Sequence, residues 1–217
     1  MSIFGFSKSR MVAPDDALPG RSTPVLPNPA PHAVLGTSLT GPWPEGTAVI
    51  HVAMGCFWGA EEIYWRLPGI VTTSAGYMGG YTPNPTYEEV CTGRTGQTET
   101  VMVAYDPAVI STYDILKAFW ENHDPTQGYR QGNDTGTQYR SAIYYTTDEQ
   151  LDLIERTRDA YGQVIRDRGY DDITTEVAPA EEIPYFLAED YHQQYLYKNP
   201  NGYRCHANTG LALPALG

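Results

Sequence analysis

The stretch TAVIHVAMGCFWGAEEIYWRLPG, residues 47–69, constrains the fold more than any other. Thr47–Ala53 is a β-branched apolar run that ends at Met54-Gly55, as a buried strand ends. Directly beyond it Ala60, Ile63, Tyr64 and Leu67 recur at i, i+3, i+4 and i+7. That spacing is one helix face, and Pro68-Gly69 stops it. Cys56 therefore lies at a strand-to-helix turn, beside a helix N-terminus whose partial positive charge and free amides favour a thiolate or an oxyanion. A cysteine picked at random is more often a packed filler. Glycine on both sides of the turn points the other way, because it lets backbone approach closely and leaves the sulfur open. Phe57 and Trp58 would by default be core rings. A turn at a sheet edge is a surface feature, however, which makes a core role for both awkward, and two rings beside a thiol could instead form an apolar slot for a small methyl or thioether group.

The rest of the chain alternates strands and helices. Val71–Tyr77 reads as a strand, and Thr86 with Glu89 as the capping box of a short helix. Gln97–Tyr105 alternates as a strand, and Ser111 with Asp114 caps a helix to about Glu121. His123–Thr137, dense in Gly, Asn, Asp and Gln, is a long loop of the kind that is either functional or disordered. Tyr139–Tyr145 is a further strand, Thr147 with Gln150 opens a long helix to about Arg168, and a strand near Ile173–Val177 precedes a helix near Ala188–Lys198. There are no Rossmann glycines, no P-loop and no internal repeat. The expected fold is one α+β domain over residues 46–200, a two-layer, plait-like arrangement with a single mixed sheet flanked by helices. Residues 1–45 are proline-rich without period, an irregular arm that either wraps the domain or is disordered. Residues 201–217 are expected to be a flexible coil tail.

Composition narrows the partners. The chain carries 14 basic and 26 acidic residues, a net charge of −12, which argues against nucleic acid or an anionic membrane surface. No apolar run approaches the roughly 20 residues of a membrane span, and the N-terminus MSIFGFSKSRMVAP lacks the apolar core of a signal peptide. The three cysteines form no C-x-x-C pair and no zinc pattern, so a reducing cytoplasm is the expected location, with no metal and no bound cofactor.

Other residues carry chemistry less plainly. Glu99 shares a strand face with Val101, Val103 and Tyr105. It is either a solvated strand-end carboxylate or a desolvated one, kept protonated and able to donate. Asp134, with Tyr139 just beyond it, and Tyr87 in NPTYEE are weak signals alone. Cys205 sits in a glycine- and asparagine-bearing tail whose mobility would let a second thiol reach an oxidised first one. Cys91 reads as a filler. His123 or His192 as base to a Cys56 nucleophile would make a cysteine hydrolase, and an aromatic slot without turnover would make a methionine-binding module.

Five motifs in order carry a family resemblance: GCFWG, AGYMGGYTPNPTYEEVCTG, TGQTETV, FWENHDPTQGYRQGNDTGTQYRSAIYY and EDYHQQYLYKNPNGY. Together, over about residues 48–204, they closely resemble peptide methionine sulfoxide reductase A, and the proline-rich arm is similar to that of longer bacterial members. The resemblance implies reduction of methionine S-sulfoxide, free or in oxidised proteins, and hence a role in protein repair. It implies Cys56 as nucleophile and Glu99 as the protonated acid at the sulfoxide oxygen. Tyr87 and Tyr139 would donate hydrogen bonds to that oxygen, and Phe57, Trp58 and Tyr139 would hold the methyl group. Asp134 would organise the loop. Cys205 would condense with the Cys56 sulfenic acid, and thioredoxin or another thiol would reduce the disulfide. Many relatives read G-Y-C where this chain reads Gly202-Tyr203-Arg204-Cys205, and the closing LALPALG lacks the further cysteine of some members, so the implied relay has one step.

Overall fold

A computed structural model describes residues 7–205 and 207–216, so the first six residues of the arm, His206 and Gly217 lie outside the described residues. The elements in chain order are β1 (Ala48–Met54), α1 (Phe57–Trp65), β2 (Ile70–Met78), α2 (Tyr87–Cys91), β3 (Thr98–Tyr105) and α3 (Thr112–Glu121). They continue with β4 (Arg130–Gln131), β5 (Asp134–Thr135), β6 (Ser141–Tyr145), α4 (Asp148–Asp167), β7 (Glu176–Pro179), β8 (Phe186–Leu187) and α5 (Tyr195–Lys198).

Six strands form one mixed sheet in the order β7-β6-β1-β3-β2-β8, antiparallel except for the β6–β7 pair. β1 and β2 flank the antiparallel β3, so the β1-α1-β2 unit is split around β3, as in a plait. Ile50, Val52, Val101, Val103 and Ile143 project to one face, where Phe57 and Tyr64 of α1, Phe119 and Trp120 of α3, and Tyr161 of α4 complete the core. The opposite face buries Ala53, Met78, Ala142 and Tyr144 against the coil around Ile183 and Tyr185. A sheet buried on both faces explains why its strands read as continuous apolar runs.

The helix starts follow their sequence signals. Thr86 and Glu89 make the reciprocal capping box of α2, and the hydroxyls of Ser111 and Thr147 accept the amides of Asp114 and Gln150. β1 is an interior strand, so the turn after it opens from the middle of the sheet. The strand expected near Ile173–Val177 is Glu176–Pro179. The expected helix over 188–198 is a 3-10 turn at Asp190–His192 and an α-helix only at Tyr195–Lys198, because Gln194 takes the left-handed conformation at φ 48° and its neighbours spend their side chains on tertiary hydrogen bonds.

Among its described residues the arm carries a 3-10 turn, Pro14–Asp16, and follows the domain surface. Lys8 accepts from the Thr137 amide, Leu18 donates to the Arg94 carbonyl, Arg21 pairs with Glu89, and Val12, His32 and Leu39 are buried.

Gly55 sets the turn before Cys56. Its φ is +87°, and a Cβ there would come within 2.6 Å of the Gln131 side chain. Gly55→Ala therefore combines backbone strain with a clash, and is expected to cost about 2 kcal/mol or more of stability, read as a lowered urea midpoint.

Candidate active site

The site is built where β1 passes into α1. Cys56 is the N-cap residue of α1 and is 8% exposed. The next amide, that of Phe57, donates to Glu99 Oε2 at 3.1 Å. Glu99 is 2% exposed on β3, on the same face as Val101 and Val103. The carboxyl is thus desolvated rather than at a wet strand end, and burial pushes it up to about 8. Burial and the nearby Glu99 charge also push the Cys56 thiol well above its ordinary value, against the opposing amides of Trp58 and Gly59. The helix N-terminus alone had suggested a thiolate. Desolvation outweighs it, and in the free protein both sulfur and carboxyl hold their protons near neutral pH.

Tyr87, the first residue of α2, and Tyr139, at the end of a 3-10 turn before β6, are half-buried. Burial first, and then the Glu99 charge, raise both phenols, so both stay protonated donors beside the carboxyl. Tyr87 is fixed from behind by Glu189, which accepts its amide at 2.8 Å and the Tyr77 hydroxyl at 2.9 Å. Arg140, next to Tyr139, is buried and donates to the carbonyls of Gly79, Gly96 and Thr137, tying together the loops around the site.

Asp134 lies on the small β4–β5 hairpin, an ordered piece of the long loop. Burial raises its carboxyl, while its bond from the Tyr203 hydroxyl at 3.2 Å opposes the shift. Cys91 is half-buried at the end of α2, and its Sγ accepts from Gln138 Nε2 at 3.6 Å.

The two rings after Cys56 part company. Phe57 is 1% exposed and packs on Tyr77 and His192, so it backs the site from the core rather than opening a slot. Trp58 is half-buried and stacks on Tyr195, with centroids 3.8 Å apart and planes 14° from parallel. Its indole Nε1 donates to His192 Nδ1 at 2.9 Å. His192 is buried against Phe57, Trp58 and Tyr87, and burial lowers it to about 4, so it is a neutral positioning ring. The sequence had offered His192 as a base to Cys56. The run EDYHQQY held the better signal, because Glu189, His192, Gln193 and Gln194 all bind inward.

The tail is held rather than free. Tyr203 reaches Asp134, Arg204 pairs with Glu62, Leu213 enters the core, and Tyr113 donates to the Pro214 carbonyl. Cys205 and Cys56 line one cavity of about 200 Å³ together with Met54, Gly59 and Ala60. Among the described residues no group of three or more His, Cys, Asp or Glu could hold a metal ion, and no helix is long and apolar enough to cross a membrane.

Residues 48–215 match the family model for peptide methionine sulfoxide reductase. The chain belongs to the peptide methionine sulfoxide reductase family. It is 60% identical over 212 residues to peptide methionine sulfoxide reductase MsrA of Salinispora tropica, covering 96% of this chain and 94% of that protein. It is 53% identical over 211 residues to the MsrA of Corynebacterium efficiens, with 97% of each covered. Among solved structures, methionine sulfoxide reductase A of Corynebacterium diphtheriae superposes with a TM-score of 0.83 at 49% identity, covering 95% of this chain and all of that one. The reduced form of Mxr1 from Saccharomyces cerevisiae superposes at 0.67 and 34% identity, covering 76% and 93%. For a peptide methionine sulfoxide reductase, a buried acid beside a buried thiol is the feature to explain.

That feature has a thermodynamic signature. Burial raises Glu99 to about 8 and Glu61, fully buried on α1, to about 7, from an ordinary value of 4.5. Between 4.5 and those values the folded chain holds protons that the unfolded chain has lost. The stabilising contribution is whole below pH 4.5 and is lost as pH rises through the raised values. Four histidines lowered by burial to about 4, His32, His51, His123 and His192, act in the opposite sense below about pH 6.5, so stability measured in urea should fall between pH 7 and pH 9, by at most about 1.4 kcal/mol per pH unit for each carboxyl. Glu99→Gln and Glu61→Gln should each flatten that fall; an unchanged slope in both would assign it to other groups.

Proposed function

We propose that this member of the family reduces the S epimer of methionine sulfoxide, free or within oxidised proteins, with Cys56 as nucleophile and Glu99 as acid. The observation that carries the reading is the buried, protonated Glu99 carboxyl bound to the amide adjoining the Cys56 thiol. A sulfoxide is a poor electrophile until its oxygen receives a proton or a strong hydrogen bond, which a neutral carboxylic acid can supply and a carboxylate cannot.

Glu99 and the phenols of Tyr87 and Tyr139 would meet the sulfoxide oxygen, with Asp134 ordering the loop beside them. Trp58 and Tyr139 would enclose the methyl group, with Phe57 supporting from behind. As the oxygen takes its proton, the substrate sulfur becomes positive and favours loss of the proton from Cys56. Attack then passes the oxygen to Cys56 as a sulfenic acid and releases methionine. Cys205 condenses with the sulfenic acid to a disulfide, and thioredoxin or another dithiol reduces it. The three cysteines, all unpaired, suit a reducing cytoplasm. The acidic net charge suits neither a nucleic-acid nor an anionic-membrane partner. On this reading residues 46–200 are the catalytic domain, and the tail from 201 supplies the recycling thiol.

A cysteine hydrolase is less well supported. His123 spends both ring nitrogens on the Phe119 carbonyl and Ser141, and His192 Nδ1 is taken by Trp58.

Offered both epimers of a methyl sulfoxide, the chain should consume the S form alone; consumption of the R form alone would reject the function. Glu99→Ala should lose about a hundredfold or more in the reductive step, and Glu99→Gln, still a hydrogen-bond donor, should lose less. Equal losses would remove the donor role. Without reductant, Cys205→Ser should still release about one methionine per enzyme and Cys56→Ser none.

A further inference from the structure

Arg204 and Glu62 form a two-pronged ion pair: Nε to Oε2 at 2.7 Å and Nη2 to Oε1 at 2.9 Å. The remaining guanidinium nitrogen, Nη1, donates to the carbonyls of Pro200 at 2.9 Å and Gly202 at 3.3 Å, which folds the tail's turn onto the same group. Glu62 stands on α1, the helix that Cys56 caps, and its side chain is 10% exposed. The Arg204 hydrogen bonds hold its carboxyl below the usual range, and Arg66 adds to the effect. One residue beyond Arg204, Cys205 Sγ lies 3.6 Å from the Gln131 carbonyl, in the cavity that it shares with Cys56.

We propose that the Glu62–Arg204 pair is a positioning clamp that sets how fast Cys205 closes on oxidised Cys56. The inference rests on the function proposed above and concerns only its second step. In that step the Cys205 sulfur attacks the sulfur of the Cys56 sulfenic acid. The S–S bond forms, the S–O bond breaks, and the departing hydroxide leaves as water with the Cys205 proton. The rate of such an intramolecular reaction follows the effective concentration and orientation of the two sulfurs. Two parallel N–H···O bonds fix orientation as well as distance. The rest of the tail is anchored elsewhere, by Leu213 in the core, by Glu121 accepting its amide and by Tyr113 at Pro214. Loss of the clamp therefore loosens the segment around Cys205, leaving it the Tyr203–Asp134 bond, without undocking the tail.

The test uses the full chain, reduced, mixed with excess methionine S-sulfoxide and no reductant. Methionine release and disulfide formation are followed separately by rapid quench and mass analysis. Arg204→Met, which keeps the alkyl stem, Glu62→Gln, and the double variant are compared with the parent. Each is expected to slow disulfide formation about tenfold while methionine release stays within about twofold. The double variant should be no slower than Arg204→Met, since Arg204→Met already removes the contact by which Glu62 holds the tail. Three results would overturn the clamp: disulfide formation within about twofold of the parent, a parallel loss of methionine release, or effects that multiply in the double variant. A parent chain that releases no methionine would instead sink the proposed function, and the clamp with it.

Discussion

The site depends on a carboxyl group placed where water cannot reach it. Glu99 stands among the β-branched residues of β3 and takes the first free amide of α1, so one hydrogen bond joins the helix start to the centre of the sheet. Ionising that carboxyl in place would bury a charge without a cation, which costs more than keeping the proton. The same desolvation acts on the neighbouring thiol. Thiol and carboxyl therefore rest in their neutral forms.

Around this pair the polar groups are arranged to hold rings and loops still. Glu189 grips Tyr77 and Tyr87, and His192 takes the Trp58 indole proton. Gln194 donates twice to Glu61, which also accepts from Thr73, and Thr73 meets His32 of the arm. The chain from arm to α1 to the segment before α5 is buried and hydrogen-bonded at each step. Such networks specify one arrangement when they are satisfied. Here the arrangement is the one that stacks Tyr195 on Trp58.

The cysteines divide according to what surrounds them. Cys56 is desolvated beside an acid, Cys91 accepts from Gln138, and Cys205 is on a coil whose neighbours decide its position. Anchoring of the tail at Asp134, Glu62 and the core limits where the Cys205 thiol can go.

Much was legible in order along the chain. Strand runs, capping pairs and the Gly-Cys turn are local, set by propensity and by side chains that bind within three residues. They placed Cys56 at a helix start and Glu99 on an apolar strand face without any tertiary knowledge. The fate of Phe57 was not legible, because core or slot depends on whether β1 is an edge or an interior strand, and pairing order is a long-range property. Nor was the break at Gln194, where bonds to Glu61, 133 residues away, outweigh a helical pattern. The proton on Cys56 was also decided at a distance: the helix dipole is written locally, whereas the burial and the carboxyl that oppose it arrive from β3. Sequence alone determined which groups could react; only packing determined their charge, their partners and where the second thiol waits.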